Sequence, residues 1–204
     1  ITIIEVNEKN KYVRLKINNN SVYFIFSKSP NINYKFFNIN NAILIDNTGI
    51  YRNRKELSNH LNPGISKVML TAPGKDIPNI VNGITPFNNK LENIFSAASC
   101  TTNTIVPVLK VINDRYGIKN AHIETIHSYT NDQNLLDNYH KKPRRGRGAP
   151  DNIVLTTTGS AQAVGKCLPE LNGKITASSV RVPVPNVSVA IMMIDLHKKM
   201  NCKE

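Results

Sequence analysis

Three short apolar runs, separated by polar segments, constrain the fold of the middle of this chain more than any other feature. The runs are Ala42–Ile45, Val68–Leu70 and Ile94–Ala98, and the segments between them, Arg52–Leu61 and Ile77–Val81, have the character of helices. Strands that alternate with helices form parallel sheets buried on both faces, through right-handed crossovers. We therefore expect a parallel sheet, with polar turns beyond the carboxyl ends of its strands, where such sheets bind ligands.

The pattern differs on either side of this sheet. Residues 1–27 contain three β-like runs, with a turn signal at Asn18–Asn20 between the second and the third. The elements expected after Cys100 are a helix to about Tyr116 that stops at Gly117, a strand at Ile123–Ile126, helices at Asn134–His140 and 159–168, and strands at Val180–Pro183 and Val187–Leu196. We place a domain boundary near residues 99–103.

Cys100 lies on this boundary, between an apolar strand and an apolar-periodic helix. Free backbone N–H groups and the positive end of the helix dipole favour a thiolate at such a position. His127 follows 27 positions later, at the end of a predicted strand, and an imidazole near the thiol would complete an activated nucleophile. The alternative interpretation is a small buried cysteine and an ordinary histidine at a strand end.

The 204 residues carry a net charge of +12 and suit one large or two small domains. The cations are spread from Lys9 to Lys203, with one dense run at Lys141–Arg147, and the chain has no Trp. We interpret the excess as compositional drift together with an anionic substrate, so a nucleic-acid partner is not expected; a polyanion-binding role remains the alternative. No run of 18 apolar residues exists, which predicts that the chain does not span a membrane.

The chain has three cysteines, an odd number, and they are widely spaced, at Cys100, Cys167 and Cys202. This argues against a disulfide framework and against a cysteine-based zinc site, and it favours a reducing cytoplasm. The remaining histidines also lack the spacing of metal ligands, so no metal is predicted; they are His60, His122, His140 and His197.

Six strings with a common order and spacing carry a resemblance to a known family. They are S-A-A-S-C-T-T-N (96–103), H-S-Y-T-N (127–131), R-R-G-R (144–147), T-T-G-S-A-Q-A-V-G-K (157–166), L-P-E-L-N-G-K (168–174) and R-V-P-V-P-N-V-S (181–188). From Asn41 to Leu196 the chain resembles the phosphorylating glyceraldehyde-3-phosphate dehydrogenases. The resemblance implies an α/β fold, in which residues 1–99 are the C-terminal part of an NAD-binding, Rossmann-like parallel-sheet domain. Residues 100–204 would be the N-terminal part of an α+β catalytic domain.

Parts of the family pattern have no counterpart in this sequence. These are the glycine-rich strand–turn–helix, the acidic residue that holds the adenosine ribose, and the late helix with an asparagine for the nicotinamide amide. The sequence also begins without Met. We therefore expect that the chain is a central piece of a longer subunit and that this piece by itself binds the cofactor poorly. The choice between NAD and NADP stays open.

The resemblance assigns the catalytic chemistry to Cys100 and His127. Cys100 would attack the aldehyde as a thiolate and give a hemithioacetal. His127 would hold the thiolate as an ion pair, and it would then accept the hemithioacetal proton as hydride leaves for the nicotinamide. The resulting thioester would be cleaved by inorganic phosphate to an acyl phosphate.

Two phosphates and one dinucleotide would be held by hydroxyls, arginines and turns. By resemblance, the groups for the substrate phosphate are Thr130, Arg181 and Arg145, and those for the attacking phosphate are Ser99, Thr101, Thr158, Gly159 and Arg147. Which arginine serves which phosphate stays open, and a solvated basic loop is the alternative for the arginines. Thr48 and Gly49 would lie near the adenosine part of the cofactor, and Thr71 and Ala72 near the nicotinamide.

The expected function is the NAD-dependent oxidative phosphorylation of glyceraldehyde 3-phosphate in the cytoplasm, by a homo-oligomer that resembles the family's tetramers. Two alternatives remain. One is a related dehydrogenase that acts on erythrose 4-phosphate, and the other is a non-catalytic protein on the same scaffold that binds polyanions.

Overall fold

Three sheets follow one another in the computed structural model, which describes residues 1–85 and 92–200. The first sheet is an antiparallel meander of β1 (Thr2–Asn7), β2 (Tyr12–Ile17) and β3 (Asn20–Ile25). Asn18 makes the predicted turn between β2 and β3 with a left-handed φ of 54°, a conformation that asparagine tolerates. A 3-10 turn at Tyr34–Phe37 leads from the meander to the second sheet.

The second sheet confirms the parallel arrangement expected from the apolar runs. It contains β4 (Ala42–Asp46), β5 (Ile65–Leu70) and β6 (Ile94–Ser96) in that order, with every neighbouring pair parallel. The helix predicted at Arg52–Leu61 is shorter: α1 covers Arg54–Leu57 and continues as a 3-10 turn through His60. Fully buried Leu57 packs α1 against the sheet.

The helix predicted at Ile77–Val81 is wrong. The segment runs beside β6 instead, where Asn79 forms a parallel bridge with Ser96. The N–H of Ser96 donates to the carbonyl of Pro78, and the N–H of Ile80 donates to the carbonyl of Ser96, both at 2.8 Å. Pro78 has no N–H for a helical hydrogen bond, so pairing with the edge strand satisfies this backbone better.

The third sheet has four strands in the order β10-β7-β9-β8. They are β7 (Ile118–Ser128), β8 (Val154–Thr156), β9 (Ile175–Val182) and β10 (Val189–Leu196). The central pair, β7 and β9, is parallel, and the outer pairs are antiparallel. β7 is much longer than the strand predicted at Ile123–Ile126, and it carries His127 near its end as expected.

Helices α2 (Cys100–Tyr116) and α3 (Ser160–Cys167) pack against the third sheet and confirm the two helices predicted there. Gly117, with φ of 71°, ends α2 as predicted. The core between these elements includes fully buried Ile105, Leu109 and Val164, and it also takes in Val81 and Ala98, which precede Cys100. The segment before Cys100 is therefore packed into the same core as α2.

The helix predicted at Asn134–His140 is also wrong. This segment is made of turns that pair with the following basic loop, which contains the run Lys141–Arg147. The N–H of Asn138 donates to the carbonyl of Gly146 at 2.9 Å, and the N–H of Ala149 donates to the carbonyl of Asn134 at 2.9 Å. The basic loop itself contains a 3-10 turn at Pro143–Gly146. Within residues 1–85 and 92–200, no helix has the length and apolar character needed to cross a membrane.

Candidate active site

Cys100 is the first residue of α2, and its side chain is exposed. Ser99 caps the helix: its Oγ accepts a hydrogen bond from the N–H of Thr102 at 3.0 Å. The other N–H groups of this first turn have no partner within the helix. The thiol therefore lies at the positive end of a 17-residue helix, as the sequence predicts.

His127 lies at the end of β7 and faces the thiol. Its Nε2 is 3.6 Å from Sγ of Cys100, so the structure brings together the two residues predicted to be catalytic. On the other side of the ring, Nδ1 is 2.7 Å from the carbonyl oxygen of Ser128 and 2.5 Å from Nη1 of Arg181.

Arg181 reaches His127 because the two residues are opposite each other in the β7–β9 register. Its Nη1 also donates to the carbonyl of Ser128 at 2.8 Å. Burial lowers the pKa of Arg181 from its ordinary value, and the charge of nearby Arg145 lowers it further, whereas Cys100 raises it. Arg181 is therefore an electrostatic neighbour of the thiol as well as of the imidazole.

A pocket of about 260 Å³ opens in front of these side chains. Seven of the predicted site residues line it: Ser99, Cys100, Thr101, His127, Thr158, Gly159 and Arg181. Its lining is rich in hydroxyls and contains no carboxylate among the residues that the structure describes. Such a pocket suits a ligand with phosphoryl oxygens.

Thr158 and Gly159 reach the pocket at the start of α3. The N–H of Ser160 donates to Thr158 Oγ1 at 3.2 Å, and the hydroxyls of Thr158 and Ser160 are 2.6 Å apart. A Cβ built at Gly159 would meet no protein atom within 4 Å, although the residue lines the pocket. The backbone at this glycine is therefore open to a ligand.

Three predicted phosphate-binding residues do not line this pocket: Thr130, Arg145 and Arg147. Arg145 is buried behind it, where its Nε donates to Thr156 Oγ1 at 2.8 Å and its Nη1 pairs with Asp132. Burial lowers the pKa of Arg145. Arg147 points elsewhere and pairs with Asp137 at 2.7 Å. Exposed Thr130 accepts a 3.4 Å hydrogen bond from the N–H of Asp132.

The predicted cofactor-binding turns follow β4 and β5, and both are tied to Asp46. Its buried carboxylate accepts hydrogen bonds from the N–H and the hydroxyl of Thr48, both at 2.8 Å, and it lies 3.1 Å from Nε2 of His60. Its backbone carbonyl accepts from the N–H and the hydroxyl of Thr71, at 3.0 and 3.1 Å. Gly49 continues the first turn with φ of 75°.

The second turn approaches Cys100. Ser96, at the end of β6, donates from its hydroxyl to the carbonyl of Ala72 at 2.6 Å. Pro73, the next residue, lines the same pocket as Cys100. The Thr71–Ala72 turn therefore adjoins the pocket, whereas Thr48 and Gly49 do not line it.

Sequence reasoning missed several residues that line the pocket: Pro73, Thr102, Thr125, Thr157, Ser160, Ala163 and Ser179. Ser179 is two positions before Arg181 on β9, and strand residues two apart share a face. The alternation of side chains along β9 could therefore have predicted that Ser179 lies on the same side as Arg181. Thr125 stands in the same relation to His127. Asp132 and Asp137 carry no signal in the sequence for their partners, because each pairs with an arginine of the following loop, 13 and 10 positions away, and no helical or strand periodicity relates the two segments.

Within residues 1–85 and 92–200, Cys167 and the metal-binding residue types add no second site. Cys167 ends α3 against the core, and burial raises the pKa of its thiol. Cys202 lies outside the described residues. No group of three or more histidine, cysteine, aspartate or glutamate side chains in the described part of the chain could hold a metal ion.

Comparison with known proteins gives consistent matches. The family model described as "Glyceraldehyde 3-phosphate dehydrogenase, C-terminal domain" matches residues 99–204. A "Glyceraldehyde-3-phosphate dehydrogenase-like protein" of Pseudomonas aeruginosa is 52% identical over 98% of this chain and 44% of its own length. "Glyceraldehyde-3-phosphate dehydrogenase 2" of Nostoc is 39% identical over 93% of this chain and 57% of its own length. "Glyceraldehyde-3-phosphate dehydrogenase 1" of Bacillus subtilis is 42% identical over 79% of this chain and 49% of its own length. The chain thus spans about half the length of these curated relatives.

Proposed function

The chain belongs to the glyceraldehyde-3-phosphate dehydrogenase family, and we propose that it carries the nucleophile and the phosphate-binding groups for the oxidative phosphorylation of glyceraldehyde 3-phosphate. The product would be 1,3-bisphosphoglycerate. The single observation that carries this proposal is the 3.6 Å approach of Cys100 Sγ to His127 Nε2 beside a pocket rich in hydroxyls. We also propose the division into a cofactor-binding part, residues 1–99, and a catalytic part, residues 100–204.

The proposed reaction proceeds through covalent bonds to the Cys100 sulfur. Attack of the thiolate on the aldehyde carbon forms a carbon–sulfur bond and leaves the negative charge on the aldehyde oxygen. Departure of a hydride from that carbon gives a thioester. Attack by inorganic phosphate then breaks the carbon–sulfur bond, releases the acyl phosphate and restores the thiolate. His127 is the group that shares a proton with this sulfur and with the substrate oxygen.

The two phosphates of the reaction would be held by different parts of the pocket. Ser99, Thr101, Thr158 and the open backbone of Gly159 line the same pocket as the thiol and suit the attacking phosphate. Arg181 uses its Nη1 for both His127 and Ser128, which leaves its Nη2 without a hydrogen bond to the described residues, so it suits the phosphate of the substrate. We keep Thr130, Arg145 and Arg147 as proposed contributors, with Arg145 acting through its position behind Arg181.

The residues present fit part of a nicotinamide dinucleotide. The turns at Thr48–Gly49 and Thr71–Ala72 follow the carboxyl ends of parallel strands, the edge at which such sheets bind ligands. Gly49 lacks a side chain, and a Cβ there would meet no protein atom within 4 Å. We propose that these four residues hold NAD, with NADP as the alternative; when bound, the nicotinamide supplies the hydride acceptor.

We propose a cytoplasmic homo-oligomer as the setting of this activity. Free Cys100 and Cys167 thiols suit a reducing compartment. Alternate residues of β10 expose apolar side chains, among them Val189, Ile191 and Met193, on the face of the third sheet opposite its helices. A face of this kind supports association.

The proposal is tested by acylation of the thiol, a reaction that needs no cofactor. We expect p-nitrophenyl acetate to acetylate Cys100 in a burst, and inorganic phosphate to speed deacylation by forming acetyl phosphate. Mass spectrometry of the cysteine peptides and release of p-nitrophenol measure both steps. Cys167→Ser should behave like the wild type, and Cys100→Ser should give no burst. Equal labelling of Cys100 and Cys167, or deacylation that ignores phosphate, would contradict the proposal.

A further inference from the structure

A second cavity, of about 160 Å³, adjoins the pocket in front of Cys100, and we call it the rear recess. Five residues line both cavities: Pro73, Ser99, Thr102, Gly159 and Ala163. The larger pocket alone is lined by Cys100, His127 and Arg181. Ser99 and Gly159, which are proposed to hold the attacking phosphate, can therefore be reached both from the side of the thiol and from the rear recess.

One face of α3 forms a wall of the rear recess. The wall residues are Gly159, Gln162, Ala163 and Lys166, at positions i, i+3, i+4 and i+7, which is the spacing of a single helix face. Gly159 has no side chain and Ala163 has a small one, so this face is open along most of its length. The bond from Cα to Cβ tilts toward the amino end of a helix. The long side chain of Lys166 therefore starts in the direction of Gly159.

The charge of the rear recess depends on Lys166. Among the residues that the structure describes, Lys166 is the one charged residue in the lining, and it pairs with no carboxylate. Asn79, another lining residue, uses its amide within its own loop: it donates to the carbonyls of Gly74 and Ile77, both at 3.3 Å, and it accepts from the N–H of Gly74 at 3.1 Å. The recess thus presents a cation without a counter-charge, a combination that suits an anion.

Two hydroxyls at the inner end of the recess have a proton to spare. Ser99 Oγ lies 2.7 Å from Thr102 Oγ1, and it accepts a hydrogen bond from the N–H of Thr102 at 3.0 Å. Two hydroxyls joined by one hydrogen bond use one of their two protons, so the other proton is free to donate to an anion. Thr102 is 1% exposed, whereas Lys166 is exposed. The recess therefore leads from a cation at the surface to hydroxyl donors beside the thiol.

We propose that the rear recess is the entrance through which inorganic phosphate reaches the acylated thiol, with Lys166 as the cation that attracts it. This inference rests on the proposed function, in which Cys100 is acylated. Once the carbon–sulfur bond has formed, the acyl group occupies the pocket in front of the thiol. A phosphate that enters by the recess does not have to pass this group. Its oxygen bonds to the acyl carbon, the carbon–sulfur bond breaks, and the electron pair of that bond goes to the sulfur.

Charge gives this entrance its selectivity. A cleft lined by one sign of charge raises the local concentration of an oppositely charged ligand, and phosphate is an anion at neutral pH. A nucleophile without charge gains nothing from Lys166. Salt weakens the effect, because the Debye length falls from about 8 Å at physiological ionic strength to about 3 Å at 1 M. Lys166 should therefore act on phosphate, mainly at low salt, and leave uncharged nucleophiles unaffected.

Deacylation of acetyl-Cys100 tests this inference, with the acetyl group supplied by p-nitrophenyl acetate. In Lys166→Glu, the slope of the deacylation rate against phosphate concentration should fall about tenfold, the lower end of what a charged cleft contributes. The difference from the wild type should shrink in about 1 M salt. Lys166→Arg keeps the charge and should retain the wild-type slope. The acylation burst, and deacylation by hydroxylamine, which is uncharged at neutral pH, should be the same in all three proteins.

Lys174→Glu is the matched control, because Lys174 is also exposed, its reversal changes the net charge equally, and it lines neither cavity. We expect it to keep the wild-type slope. An equal fall in Lys174→Glu would mean that only the overall charge acts, and it would overturn the inference. The inference also fails if Lys166→Glu leaves the slope unchanged, or if it slows deacylation by hydroxylamine as much as deacylation by phosphate.

A titration with inorganic phosphate gives a readout that does not need the thiol. The side-chain amide of Gln162 lines the rear recess and not the larger pocket, so its NMR signals should shift as phosphate is added. In Lys166→Glu, half of the shift should require about tenfold more phosphate. Signals that stay in place in the wild type, or that move equally in both proteins, overturn the inference. If the titration behaves as expected but Cys100 is not acylated in a burst, the proposed function fails and the recess stands as a phosphate-binding cavity.

Discussion

At the scale of single residues, Asp46 shows how one buried carboxylate orders two turns. The residue ends β4 and resembles the acidic residue that binds a ribose, yet no glycine-rich turn precedes it in the sequence. In the structure its carboxylate is fully buried and engaged by Thr48 and His60, while its carbonyl holds Thr71. Asp46 therefore positions the turns and leaves no oxygen for a ligand.

Asp46→Asn should lower the free energy of unfolding by about 2 kcal/mol or more. The substitution weakens the hydrogen bonds to a buried charge, and it places an amide N–H₂ group against the donors of Thr48 and His60. Urea unfolding at neutral pH measures the change. Asp195→Asn is the matched control: Asp195 pairs with Lys119 at 3.7 Å and both side chains are about half exposed, so its loss should cost less than about 1 kcal/mol. Equal losses in the two variants would contradict the role given to Asp46.

At the scale of elements, α2 connects the second sheet to the third and presents Cys100, the proposed nucleophile, at its first residue. Its start is defined by the Ser99 cap and its end by Gly117, and Ile105 and Leu109 pack its inner face into the core. The residues that fix the two ends of α2 therefore also fix the position of the thiol and of the side chains that the helix packs into the core.

Ser99→Ala should destabilise the protein by about 1 kcal/mol, because the N–H of Thr102 loses the hydroxyl that caps the helix. Thermal or urea unfolding measures this loss. Ser58→Ala serves as the comparison: its exposed hydroxyl donates to Lys55, and removal of such a surface contact should cost within about 0.5 kcal/mol. If Ser99→Ala leaves the free energy of unfolding unchanged, the cap does not define the start of α2.

At the scale of the whole molecule, two buried clusters divide the core that the described residues form. One lies in the parallel sheet around Leu57, Val68 and Leu70, and the other lies between α2, α3 and the third sheet. Val81 and Ala98 precede Cys100 but belong to the second cluster. The proposed boundary near residue 99 therefore describes a change of architecture, with the segment before it packed against α2, α3 and the third sheet.

Residues 1–204, prepared alone, should bind NAD more weakly than a Kd of about 1 mM, or about −4 kcal/mol. The sequence contains no Gly-x-Gly-x-x-Gly turn for the pyrophosphate, so the cofactor would rely on the four turn residues. Isothermal titration calorimetry measures the affinity, and acylation of Cys100 in the same preparation shows that the protein is folded. A micromolar Kd would contradict the prediction.

Much of the fold and part of the site could be predicted because their signals are local. Apolar runs marked β4, β5 and β6, Gly117 marked the end of α2, and Cys100 fell at the helix start where it lies in the structure. Local patterns failed at Ile77–Val81 and Asn134–His140, where pairing with a neighbouring strand or loop satisfies the backbone better than a helix would.

The sequence by itself determined the parallel arrangement of the second sheet and the identity of seven residues that line the pocket, Cys100 and His127 among them. Only the tertiary structure decided how these residues meet. Arg181 and His127 are 54 positions apart and touch because β7 and β9 pair in one register. Arg145 was expected in the pocket, but its contacts with Asp132 and Thr156 hold it behind the pocket. Hydrogen bonds between distant strands and loops depend on register and burial, which local patterns do not contain.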